Sequence, residues 1–309
     1  MHISKLDASG NYIWTIQGAG SNGSERGMAI ATDASGNSYV TGYFSTSMTI
    51  GTQTVTASGY DNFVAKIDPS GTCLWVTNFG ATNDEWAYDI EVDNLGNIYI
   101  TGYVNGAGHF GSITTSSVGG NDIFVTKLDN SGNFLWANVE GGSQGEYGYG
   151  IDVDASGNVY VTGGYRGTCT IASQSLTSTS SSIIDIFVAK YNASGVGQWA
   201  NGYGDNISSD YGRGLAVDGN GDVYITGYYA GTINFGATTL TSDTAMYTSS
   251  TPSIDAFIAK FDGNGTNLWA RSAGEGRDDY GIDIDTDGAN NVYYTGYTEG
   301  DMIFSLGNS

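Results

Sequence analysis

The chain has 309 residues, with 32 acidic and 10 basic side chains and a formal charge of −22 at pH 7. Ten scattered Lys and Arg cannot neutralise a run of phosphates, which argues against nucleic acid and anionic membrane as partners. No apolar run approaches the roughly 20 residues that a spanning helix needs, and an aromatic content of 13% sets the chain apart from disordered ones.

One pattern recurs along the chain. Residues 1–20 hold ISKLD, with Lys5, then DASGN, then Trp14 nine residues after the lysine. A full copy follows over 21–80, with GNSYVTG from Gly36, FVAKID with Lys66, and Trp75. Residues 81–141 repeat it with GNIYITG, FVTKLD (Lys127) and Trp136, and 142–204 with GNVYVTG, FVAKYN (Lys190) and Trp199. The copy over 205–278 has GDVYITG, FIAKFD (Lys260) and Trp269, and 279–309 brings only the opening of another, GIDIDTDGANNVYYTG.

Each full copy predicts four short strands, because its apolar runs are rich in Val, Ile, Tyr, Phe and Thr and lack helical periodicity. Links such as DASGN, DNLGN and DPSGT place Asp first and Gly fourth, which suits tight antiparallel hairpins: Asp caps the turn and Gly takes positive φ. Four-stranded repeats of this length predict propeller blades. The two end pieces each supply two strands. The expectation is therefore an all-β, five-bladed β-propeller, a single domain over 1–309, closed by one blade made of 1–20 plus 279–309. His2 stands where Phe63, Phe124, Phe187 and Phe257 stand in the full copies, so the start is expected to be trimmed from a longer exported precursor.

The combined motifs D-x-F-V-A-K-x-D, L-W and G-I-x-V-D-x-x-G-N-V-Y-V-T-G resemble the bacterial SBBP β-propeller repeat family over essentially the whole chain. The resemblance implies an extracellular or cell-surface protein serving as a structural or binding module, with no catalytic residues to carry over. The family name implies seven blades, whereas counting copies here gives five.

Alignment on Asp33, Asp93, Asp154, Asp218 and Asp287 places an acid eight residues earlier in every copy: Glu25, Glu85, Glu146, Asp210 and Asp279. These predict either a cation-binding ring at a channel mouth or a structural charge ring. In the structural reading each acid meets a repeat lysine (Lys5, Lys66, Lys127, Lys190, Lys260) or caps backbone NH groups at a blade junction. The cost of burying unpaired charge favours the structural reading. If a lysine is the partner, Glu146→Gln strands Lys127 or Lys190 and costs about 3 kcal/mol. In the last copy Asp283, Asp285, Asp287 and Asn291 follow the oxygen-rich spacing of a calcium loop, which makes Ca2+ a candidate ligand, although Tyr294 replaces the twelfth-position acid.

Two enzyme-like strings carry little weight. Gly141–Gly145 satisfies G-x-S-x-G, but no helix is expected after it and His2 and His109 are the only histidines; Gly18–Gly23 satisfies G-x-G-x-x-G without a following helix. The reading is a noncatalytic interaction module. A multivalent lectin and, further off, a glycoside-acting enzyme are the alternatives, the second opposed by near-identical blades. The repeat tryptophans and Tyr39, Tyr99, Tyr160, Tyr224 and Tyr293 are expected to pack between blades, and Tyr43, Tyr103, Tyr165, Tyr228 and Tyr297 to be exposed. The Ser/Thr-rich second-to-third connections each begin with an apolar and a small residue (Ile50-Gly51, Phe110-Gly111, Ile171-Ala172, Phe235-Gly236). They predict small hairpins on one rim, where a protein or glycan would bind. Cys73 and Cys169 occupy unrelated contexts and are expected to be free thiols.

Overall fold

The computed structural model describes residues 1–20, 24–81, 83, 85–243, 252–274 and 276–299. Ser21–Gly23 of the Gly18–Gly23 string and residues 300–309 of the last copy lie outside them. Every regular element among the described residues is a β-strand, and the chain divides into two compact units, Met1–Val139 and Glu140–Ser309.

The first unit begins with β1 (His2–Leu6) and β2 (Tyr12–Gly20), followed by β3 (Arg26–Thr32), β4 (Ser38–Ile50), β5 (Gln53–Ile67) and β6 (Cys73–Phe79). The last four form one antiparallel sheet in chain order, and β2 adds to the far end of β4 through Gly18↔Ile50, Ala19↔Thr49 and Gly20↔Met48. A second sheet holds β7 (Trp86–Val92), β8 (Ile98–Val104), β11 (Asp122–Leu128) and β12 (Phe134–Glu140), with β9 (Ala107–Phe110) and β10 (Ile113–Ser116) as a separate hairpin. Strands β8 and β11 lie mid-sheet and are buried along their whole length, which is why they read as unbroken apolar runs.

The second unit repeats the plan. One sheet has β13 (Tyr147–Val153), β14 (Val159–Tyr165), β17 (Asp185–Tyr191) and β18 (Gly197–Tyr203); the next has β19 (Tyr211–Val217), β20 (Val223–Ala230), β23 (Ile254–Phe261) and β24 (Asn267–Ala273). Strands β15 (Thr168–Ile171) and β16 (Gln174–Thr177), then β21 (Thr232–Asn234) and β22 (Thr239–Thr241), are the small hairpins. Strands β25 (Asp279–Thr286) and β26 (Val292–Thr298) pair with each other and, among the described residues, with no third strand.

The turn chemistry is the same throughout. One Asp93 oxygen accepts the NH groups of Leu95 and Asn97, each at 2.9 Å, while the other accepts the Asn97 amide at 2.7 Å and the Tyr99 hydroxyl at 2.9 Å. Gly96 completes the turn at φ 80°. Asp33, Asp154, Asp218 and Asp287 each build the equivalent turn. In the last of these Asn290, at φ 62°, takes the place of glycine. The connections do form hairpins: Ile50, Phe110, Ile171 and Phe235 are all fully buried, and the small residue after each has positive φ.

Candidate functional site

The ring acids sit at the loops that enter each first strand. Glu85 and Glu146 are wholly buried; the Glu85 carboxylate accepts the Ala81 NH at 2.7 Å and that of Glu146 the Gly142 NH at 2.8 Å. Asp210, also wholly buried, accepts the NH groups of Asp205 and Ala230, both at 3.2 Å. Asp279 is buried in the corresponding place and Glu25 is half-buried. Glu85, Glu146 and Asp210 thus cap backbone NH groups, the second form of the structural reading.

Among the described residues the lysines make their observed contacts elsewhere. Lys66, Lys127, Lys190 and Lys260 lie over the rings of Tyr39, Tyr99, Tyr160 and Tyr224, 4.8–5.2 Å from their centroids, each directly across the strand pair. The ammonium groups then reach forward to the turn of the next repeat. Lys5 donates to the Pro69 carbonyl (3.5 Å), Lys66 to the Asn130 side chain and Lys190 to the Gly263 carbonyl (2.9 Å), while Lys260 pairs with Asp222 at 2.7 Å within its own repeat. The tryptophans run alongside: the indole NH groups of Trp14, Trp75 and Trp199 donate to the carbonyls of Pro69, Asn130 and Gly263. Lys66 and Lys190 combine the cross-strand cation–π contact with a forward hydrogen bond, and Lys260 combines it with the ion pair to Asp222.

A second set of acids escaped the sequence reading: Asp61, Asp122, Asp185 and Asp255, two residues before each repeat phenylalanine. Asp185 accepts the NH and hydroxyl of Thr179 at 2.8 and 3.0 Å, and Asp255 the Ser253 hydroxyl at 3.0 Å and the Asp243 NH at 3.3 Å. Burial, with no cation beside them, pushes Asp185 and Asp255 up to about 6 and Asp210 up to about 8. Their recurrence at every D-x-F was the signal.

The residues of the calcium-loop spacing have partners of their own. Asp287 and Asn291 are engaged in the same turn as in every other repeat, with the Asn291 amide donating to Asp287 at 2.9 Å. Asp283 and Asp285 each accept the NH of the next residue, at 2.9 and 2.7 Å. Among the described residues no group of three or more His, Cys, Asp or Glu side chains has an arrangement that could hold a metal ion. Ser143, in the G-x-S-x-G string, is exposed in a loop between two strands, which is not the strand–turn–helix setting of a nucleophile elbow.

Directly after each ring acid lies the feature with an open face. The residues that follow, Arg26, Trp86, Tyr147, Tyr211 and Tyr280, start the first strands and pair across to Tyr43, Tyr103, Gly164, Tyr228 and Tyr297. Rings then continue from one repeat to the next. In the first unit Tyr43 stacks on Trp86 at 5.1 Å and 7°. In the second, Tyr149 reaches Tyr211 at 6.2 Å and Tyr228 reaches Tyr280 at 4.8 Å. Of the tyrosines expected to be exposed, only Tyr297 is: Tyr43, Tyr103 and Tyr165 are buried and Tyr228 is half-buried. In the first strands Trp86, Tyr88, Tyr147, Tyr149, Tyr211 and Tyr280 are each half-buried, as Tyr228 is.

A family model described as a beta-propeller repeat, SBBP, matches residues 199–228, from the tryptophan of one repeat to the end of the second strand of the next. An uncharacterized WD repeat-containing protein of Acanthamoeba polyphaga mimivirus is 26% identical over 319 aligned residues, covering 84% of this chain. The chain spans 23% of that relative's length. The four-stranded antiparallel sheets here are consistent with a propeller.

Proposed function

We propose that the chain is a noncatalytic protein-binding module on a closed, five-bladed propeller, working outside the cell or on its surface. The half-buried aromatic band carries this reading, because partly accessible aromatic side chains at rigid strand ends are the kind that bind partners. The rim hairpins are weaker candidates: their apolar residues are turned inward and buried, leaving mainly Ser and Thr outside. The likeness to a WD repeat-containing protein and to surface-associated SBBP repeats points the same way.

Closure is supported by two unmatched surfaces. In each unit the first-strand isoleucine or leucine of a repeat packs against the repeat before it: Ile90 with Ala31 and Tyr39, Leu215 with Tyr160, Ile284 with Ala216 and Tyr224. The equivalent Ile30 is 55% exposed, and Tyr293, equivalent to Tyr39 and Tyr224, is 60% exposed.

The test is a photo-crosslinking residue at position 211, in the band, or at position 170, on a rim hairpin, in the cells that make the protein. A discrete protein adduct is expected from position 211 and none from 170, with both proteins open to protease on intact cells. Protease resistance overturns the surface location. Retention on a glycan array without protein adducts, or turnover of polysaccharide, overturns the protein-binding reading.

A further inference from the structure

In the second unit Tyr147, Tyr149, Tyr211, Tyr228 and Tyr280 form a row of half-buried rings, with successive centroids 4.8–6.2 Å apart. The chain lays one of its own guanidinium groups on this row: Arg213 lies 4.5 Å from the centroid of Tyr149. In the first unit Arg26, at the repeat position held by Tyr211 and Tyr280, lies 5.9 Å from the centroid of Tyr43. The ion pairs seen among the described residues, Lys260 with Asp218 and Asp222, involve neither guanidinium. The band thus holds guanidinium by ring faces.

We infer that the tyrosine row receives arginine side chains of a partner protein. The inference rests on the protein-binding reading and adds the chemistry of the partner. A planar guanidinium stacks on a phenol face and is less strongly hydrated than an ammonium, so arginine is favoured over lysine. Tyr228 and Tyr280 stay neutral at physiological pH, as burial pushes both up to about 12, and their hydroxyls keep the ability to donate and accept. Asp278, beside Tyr280, and the net charge of −22 draw cations toward the row. A neutral sugar would gain the ring contact and nothing from the charge.

The probe is an end-capped Arg-Gly-Arg-Gly-Arg peptide against its citrulline counterpart, titrated into the full chain in about 0.15 M salt, where diffuse attraction is screened beyond roughly 8 Å. Saturable binding is expected, with the citrulline peptide about tenfold weaker or more. Tyr211→Leu and Tyr280→Leu should each weaken it several-fold, Tyr211→Phe should retain it, and Arg213→Gln should strengthen it by clearing the resident guanidinium. Equal affinity for the citrulline peptide overturns the inference, as does undiminished binding in both leucine variants when circular dichroism shows them folded. If neither peptide binds while the position-211 adduct forms, the arginine inference falls and the protein-binding reading stands; if the adduct is absent, that reading falls too.

Discussion

At the scale of single residues, one carboxylate organises each hairpin, and its worth depends on what surrounds it. Asp218 is 5% exposed; it accepts the NH groups of Asn220 and Asp222 and the Tyr224 hydroxyl, and lies 3.7 Å from Lys260. Asp218→Ala removes these bonds and leaves a buried hydroxyl without its acceptor, so a loss of about 3 kcal/mol is expected from urea denaturation. The same change at exposed Asp7, whose turn has no tyrosine, should shift the midpoint much less. Glycine carries the other half of the turn. Gly265 has φ 83°, and a Cβ there would stand 2.9 Å from the Trp199 ring, so Gly265→Ala combines backbone strain with displacement of an indole and should cost about 2 kcal/mol. Asp first and Gly fourth were legible because the turn is local chemistry. That Gly265 also makes room for Trp199 was not, since the indole arrives from another repeat.

At the scale of elements, the joints between sheets are acidic and unusually proton-hungry. Asp210 and Asp185 lie in one joint with Asp205 nearby, and Asp255 lies in the next with Asp243 and Asp279. Burial raises Asp185 and Asp255 to about 6 and Asp210 to about 8, above the ordinary carboxylate value near 4 that they have when unfolded. The folded chain therefore holds protons that the unfolded chain releases. The stability these groups contribute is full below about pH 4 and is lost as pH rises through 6 and then 8. Denaturation midpoints should fall between pH 5 and 9. Asp210→Asn, which keeps the shape and removes the titration, should flatten the upper part of that fall; a slope unchanged by the substitution would show that general charge repulsion sets it. The recurrence of these acids was visible in the sequence. Their partners were not, because spacing gives a period and says nothing of whether a carboxylate turns toward a lysine or toward the loop behind it. Nor does spacing show the neighbours of the lysines, which are tyrosines in register across the strand pair and, for Lys66 and Lys190, the turn of the following repeat.

For the whole molecule the question is how surfaces that every internal repeat buries are satisfied at Ile30 and Tyr293. Four sheets complete the plan, and their second-strand tyrosines are at most 3% exposed. Tyr293, on β26, has the sequence of such a tyrosine and the exposure of a surface residue. The sequence made this mismatch legible, since the first twenty residues carry the strands that the last copy lacks, but pairing between distant segments is a tertiary event that no local pattern encodes. If the ring closes, Tyr293 is as deeply packed as Tyr224, and Tyr293→Ser should lower the denaturation midpoint by an amount comparable with Tyr224→Ser, itself expected to cost about 3 kcal/mol. Amide protons of β26 should then exchange as slowly as those of β20. The chain should also sediment as a monomer at all concentrations, because an uncovered β26 edge is a template for pairing with another copy. A Tyr293→Ser variant as stable as the parent, with fast exchange along β26 and concentration-dependent association, would mean that these surfaces are covered by another chain instead.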